Sequence, residues 1–161
     1  NMWNTSLFCV NYPFEDVCVS GVFPMIQYGH NVAKLESIEN KTYPSCLPHC
    51  CGYIGSYMLG ILYCSVLGSV MINNGVQLTY NSLNILTNLG AASNVGCYAG
   101  QFRTKLRKKY DIDGSFTSDC IIHTFASPCA LCQESYTLSI NERKEDEMNE
   151  LKAPYIQLME Q

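Results

Sequence analysis

From Thr42 to Phe102 the chain runs for 61 residues without one Asp, Glu, Lys or Arg. All 24 charged side chains lie in positions 1–41 or 103–161. Loops that face water normally carry charge, so this block is expected to meet lipid, a partner protein or a tight core. Within it, Gly52 to Ile72 reads GYIGSYMLGILYCSVLGSVMI. As a helix, such a length spans roughly 30 Å, the thickness of a bilayer's hydrocarbon. Gly52, Ser56, Gly60, Cys64 and Gly68 recur at every fourth position. A stripe of small residues lets a helix backbone approach a second helix closely, as membrane helices do. The competing reading is a buried helix in a soluble core, where each Gly costs about 1 kcal/mol.

Other classes are disfavoured by composition. The net charge of −4 and pI near 5.3 lack the basic surplus of a nucleic-acid binder. A hydrophobic content of 47% is too high for global disorder. At 161 residues the chain has room for one domain. The opening residues show no basic leader before an apolar run.

After Asn73-Asn74-Gly75, residues 76–88 read as a loop or a poor helix, rich in Asn. A helix is expected to resume near Ala91, with Val95, Phe102, Leu106 and Tyr110 on one apolar stripe. Its end carries Arg103, Lys105, Arg107, Lys108 and Lys109, five of the ten basic residues. Such a cluster suits anionic lipid headgroups, or simply a solvated helix end favoured by the dipole. Asp111 to Ser115 reads as a turn around Gly114. A short helix from Ser118 is expected to stop before Pro128, and a second to run from Ala130 to about Lys152. Residues 1–50 look irregular, with turns at Pro13, Pro24, Pro44 and Pro48 and a short amphipathic helix over Gly29–Glu39.

Ten cysteines and three histidines carry the candidate chemistry. The densest group is Cys120-x2-His123-x5-Cys129-x2-Cys132. Two thiol or imidazole pairs of this kind can close a tetrahedron around Zn²⁺, and the donors favour zinc, cadmium or copper(I) over calcium or magnesium. A second group is Cys46, His49, Cys50 and Cys51, which Cys9 or Cys18 can supplement. Disulfides, as in a secreted domain using the Asn4 and Asn40 sequons, and plain packing of thiols such as Cys64 and Cys97 are the alternatives. Enzyme motifs are absent: there is no G-x-S-x-G, P-loop, H-E-x-x-H or dinucleotide fingerprint. No catalytic residue is expected.

One ordered run is specific. Phe102-Arg103-x-x-Leu106-Arg107-x-Lys109-Tyr110-x-Ile112-x-Gly114-Ser115, then Asp119-Cys120-x-x-His123, then Ser127-Pro128-Cys129-Ala130-Leu131-Cys132-Gln133-Glu134, resembles the PLAC8 family. Trp3, Leu7, Phe8 and Cys9, with Pro24, Gly29 and Ala33, resemble its N-terminal part; residues 73–94 look like added length. The resemblance implies a small cysteine-rich membrane protein, often oligomeric, with roles in zinc or cadmium handling, calcium influx or control of organ size. One departure bears on transport. Phe23-Pro24-Met25 stands where the family usually has Cys-Pro-Cys, and Ala126 stands where plant members often have Cys.

The expectation is therefore a mainly α, small cysteine-rich membrane-associated helical domain with one or two apolar helices, a single PLAC8-like unit over 1–161. Its parts are an irregular stretch at 1–50, an apolar helix or hairpin at 52–72, a basic helix with the Cys/His motif at 91–134, and a charged helix at 135–161. Two functions fit it: a metal-handling protein that assembles in a membrane and binds Zn²⁺ or another soft ion, or an accessory subunit of a larger membrane complex without transport activity. The partners implied are membrane lipid and a homo-oligomer or larger membrane complex, with no nucleic acid.

Overall fold

The computed structural model describes residues 3, 6–7, 12–40 and 44–159. Five helices follow in order: α1 Phe14–Val22, α2 Pro24–Asn40, α3 Leu47–Asn73, α4 Tyr80–Lys109 and α5 Phe116–Met159. No strand occurs among the described residues. The mainly α expectation holds, with one apolar helix of spanning length.

The N-terminal region is more ordered than its prolines suggest. Pro24 opens α2 instead of breaking it, because the first helical position needs no N–H and suits proline's fixed φ. Gly29 lies inside α2 where it crosses the start of α3: a Cβ there would lie 2.8 Å from the Cys46 carbonyl oxygen. The Phe23-Pro24-Met25 segment is thus the α1–α2 junction.

α3 and α4 form an antiparallel hairpin. The small-residue stripe is its seam: the buried positions of α3 are Tyr53, Ser56, Gly60, Cys64 and Gly68. A Cβ at Gly60 would come within 2.6 Å of the Ala91 Cα, so the two backbones are nearly in contact. Asn94 Nδ2 donates to the Ser56 carbonyl at 2.6 Å. Of the two readings of the Asn-rich stretch, loop or poor helix, the helix is found from Tyr80 onward. Thr79 caps it by accepting from the Ser82 N–H at 3.2 Å, a contact that stabilises helices by about 1 kcal/mol. Modest asparagine propensity is outweighed by the face that α3 supplies.

At the base of the hairpin a core forms from Tyr28, Val32 and Leu35 of α2, Tyr53 of α3, Val95, Ala99, Phe102 and Leu106 of α4, and Leu131 and Leu138 of α5. The apolar stripe read from Val95, Phe102 and Leu106 is this buried face. α5 is two helical arms joined at Ala126, whose φ of −135° and ψ of 36° break the helix. Pro128 then falls in the first turn of the second arm, where proline is tolerated. The residues between the kink and the charged end fill the core, with Leu131, Glu134, Thr137 and Leu138 wholly buried.

Candidate functional site

Two features stand out: an ionic cluster at the base and an apolar surface on the hairpin. In the cluster, Arg103 and Arg107 are one turn apart on α4, and both point inward. Arg103 reaches Glu134 at 3.2 Å and Asp119 at 3.4 Å, and donates to Gln133. Arg107 reaches Asp119 at 2.8 Å and donates from Nη1 to the Ile112 carbonyl at 3.2 Å. Thr104 donates to Asp119 at 2.7 Å. His123 Nε2 meets Glu134 Oε1 at 2.8 Å. Trp3 covers the guanidinium of Arg103 at 3.9 Å.

The side chains of Arg103, Arg107, Asp119, His123 and Glu134 are all buried. Buried charges are tolerable only when paired and hydrogen-bonded, and here two guanidinium groups meet two carboxylates. The turn after α4 wraps this cluster. Gly114 has φ +146°, and its Cα faces the Arg107 guanidinium so closely that a Cβ would sit 3.2 Å from it. Two of the five basic residues expected to face headgroups or solvent are therefore interior. Of the others, Lys105 pairs with Glu39 at 2.8 Å, Lys109 lies over the Tyr110 ring, and Lys108 is exposed.

The proposed metal ligands do not share one point. Among the described residues, no three His, Cys, Asp or Glu are grouped so as to hold an ion. His123 is turned to Glu134. Cys120 lies against Cys97 of α4, and its thiol is pushed up to about 11, first by burial and then by that neighbour. Cys132 contacts the Ser20 hydroxyl at 2.9 Å, with Cys129 nearby; burial raises its thiol also. The kink at Ala126 sets the first pair on a different arm from the second. In the other group, His49 pairs with Glu36 at 3.3 Å, Cys50 interacts with Cys46 one turn away, and Cys51 is exposed. Nine cysteines are described and all are free thiols. Cys64 is packed as expected, whereas Cys97 is exposed. Cys9, Phe8 and most of both sequons lie outside the described residues.

The hairpin surface has the opposite character. α3 is the one described helix long and apolar enough to cross a membrane, with a mean hydropathy of 1.6, yet only 22% of its apolar window is buried. Ten large apolar side chains from Ile54 to Ile72 are exposed, Leu59, Leu62 and Tyr63 by more than 60%. Tyr80, Ile85 and Leu89 extend this surface onto α4. A soluble core helix would bury such residues. Leaving ten of them half exposed forfeits about 1 kcal/mol each, on the order of 10 kcal/mol in all.

The cluster coincides with the ordered run of the sequence. The profile of the PLAC8 family matches residues 3–137, and the chain belongs to that family. Two relatives are maize (Zea mays) proteins: cell number regulator 5, 28% identical over 133 residues, and cell number regulator 6, 28% identical over 139 residues. Each alignment covers 82% of this chain; the chain spans 60% and 52% of the respective relatives. No solved structure matches the chain.

Sequence reasoning missed the ionic cluster as such. Its signal was present: Arg103 and Arg107 fall at i, i+4, interleaved with the buried Phe102 and Leu106, where a solvated helix end would place apolar residues only by accident.

Proposed function

We propose that this chain is a membrane-inserted, non-catalytic PLAC8 protein of the cell-number-regulator kind, acting as an assembly subunit. The α3–α4 hairpin enters the bilayer while the ionic cluster fixes the domain at its base. The observation that carries this reading is the uncharged hairpin whose seam is made of small residues and whose large apolar side chains point outward. Only lipid or partner helices satisfy that surface. The Asn-rich outer face of α4 suits contacts with further helices.

Alkaline carbonate extraction of membranes, followed by native electrophoresis in mild detergent, tests it. The expected result is retention in the membrane pellet and migration as an assembly larger than 18.0 kDa. Release into the carbonate supernatant overturns insertion, and a lone monomer overturns the assembly role.

A second reading, soft-metal handling, draws on the thiol neighbours Cys46–Cys50 and Cys97–Cys120. Thiol pairs contributed by adjacent copies can complete a site for zinc or cadmium that one chain does not form. Metal content of the purified oligomer tests it. A stoichiometric soft metal lost on Cys→Ser substitution supports it, and a metal-free oligomer rejects it.

A further inference from the structure

A cavity of about 380 Å³ opens between α2, the start of α3 and α4. Its inner wall is aromatic. The Tyr28 ring centroid lies 5.6 Å from Tyr98 and 5.7 Å from Phe102. Its rim is charged with both signs: Glu36 and His49 stand 3.3 Å apart on one side, and Lys105 stands on the other. This volume is in the usual range for small-ligand sites, roughly 300–1,000 Å³.

The cavity's level in the molecule matters as much as its lining. The hairpin register pairs Gly52 with Tyr98 and Gly60 with Ala91. His49 and Gln101 therefore lie about one turn beneath the point where the apolar surface begins. Lys105 is the first accessible charge after the uncharged block. On the reading of the hairpin given above, on which this inference rests, the cavity opens at the boundary between hydrocarbon and water.

We propose that this cavity binds the headgroup of a zwitterionic phospholipid of the phosphocholine type. The quaternary ammonium lies against the half-buried Tyr98 ring beside Glu36, with Tyr28 packed behind that ring. Aromatic ring faces attract such cations through the ring quadrupole. The phosphate lies toward Lys105 and His49. A purely anionic ligand would meet Glu36, and a purely cationic one would meet Lys105; a ligand carrying both charges satisfies both rims. The acyl chains continue along the exposed face of α3. The Glu36–His49 contact and the Lys105–Glu39 ion pair hold these groups in place when the site is empty and exchange partners on binding.

The test uses the full chain in a maltoside detergent, titrated with phosphocholine by ligand-observed NMR, together with flotation on phosphatidylcholine vesicles. The proposal expects saturable binding that weakens about fivefold or more with Glu36→Gln and with Tyr98→Leu, and likewise with Lys105→Ala. Helix content and flotation remain unchanged in all three. If the wild-type chain floats but does not bind phosphocholine, or if the variants bind as well as it does, the headgroup site is refuted and insertion stands. If phosphocholine binds but the chain does not float, the lipid source is refuted in favour of a free ligand, and the insertion reading falls with it.

Discussion

Glu134 offers a clean perturbation of the ionic cluster. Its side chain is fully buried, and it holds both Arg103 at 3.2 Å and His123 at 2.8 Å. Glu134→Leu keeps most of the volume but strands a guanidinium whose remaining partners are Gln133 and the 3.4 Å contact with Asp119. Breaking a buried pair from one side costs about 3–5 kcal/mol, a large part of the roughly 5–15 kcal/mol that holds a domain folded. Glu134→Gln keeps a hydrogen-bond acceptor and loses the charge, so about 1–3 kcal/mol is expected. The chain supplies its own probe: Trp3 is its one tryptophan and lies over Arg103. Unfolding in mixed micelles, followed by its fluorescence, therefore reports on the cluster directly. Adding Arg103→Leu to Glu134→Leu removes the stranded cation and should recover part of the loss, because Arg107 still neutralises Asp119. A loss below about 1 kcal/mol for Glu134→Leu, or a double variant worse than the sum of its singles, would refute the assignment of this cluster as the domain's electrostatic anchor.

Asp119→Asn, which weakens the pairing of both arginines, should destabilise the base by about 2–4 kcal/mol while leaving carbonate-resistant membrane retention intact; thermal melting in detergent checks it. Gly60→Leu drives a side chain into the Ala91 backbone and should cost about 1–3 kcal/mol or split the hairpin, seen as a faster-cut 74–79 connection in limited proteolysis. At pH 8, brief maleimide treatment of the folded chain should modify Cys18 and spare Cys120 and Cys132, as peptide mapping would reveal; equal labelling of all three contradicts the packing. The raised thiol of Cys120 also sets a sign. Its contribution to stability is complete below its ordinary value of 9.0 and is lost as pH rises through about 11, because the unfolded chain loses that proton first. Stability should therefore fall across that window, and less so in Cys120→Ala.

The architecture was legible wherever one periodicity dominated. The stripe Ser56, Gly60, Cys64, Gly68 identified the α3 seam, and Val95, Phe102 and Leu106 identified the buried face of α4, because small size and apolarity act locally and repeat with the helix. The break before Pro128 was likewise visible, being a backbone property of the residues concerned. The helices α1 and α2 were less legible. Their prolines sit at helix starts, and a proline at the first position and one in a turn look alike in sequence. The start of α4 was hidden because its helicity depends on α3, which a local reading of Asn81, Asn84 and Asn88 does not include. For the cysteines the difficulty was partner choice. Cys120, His123, Cys129 and Cys132 have ligand spacing, but Cys97 of α4, Ser20 of α1 and Glu134 from the second arm of α5 claim three of them. The ordered run was read as a family mark; its charges, Arg103, Arg107, Asp119 and Glu134, form the interior cluster because only that mutual pairing allows them to be buried.

On the function proposed above, the α3–α4 hairpin resides in hydrocarbon. Placing the single tryptophan at its most exposed face tests this directly: Leu62→Trp in a Trp3→Phe background, reconstituted with lipids brominated along their acyl chains. Leu62 is 61% exposed and sits midway along α3. Strong quenching is expected, greater for bromines deep in the chain than for those near the headgroup. An unquenched indole with the emission of a water-exposed side chain would contradict it.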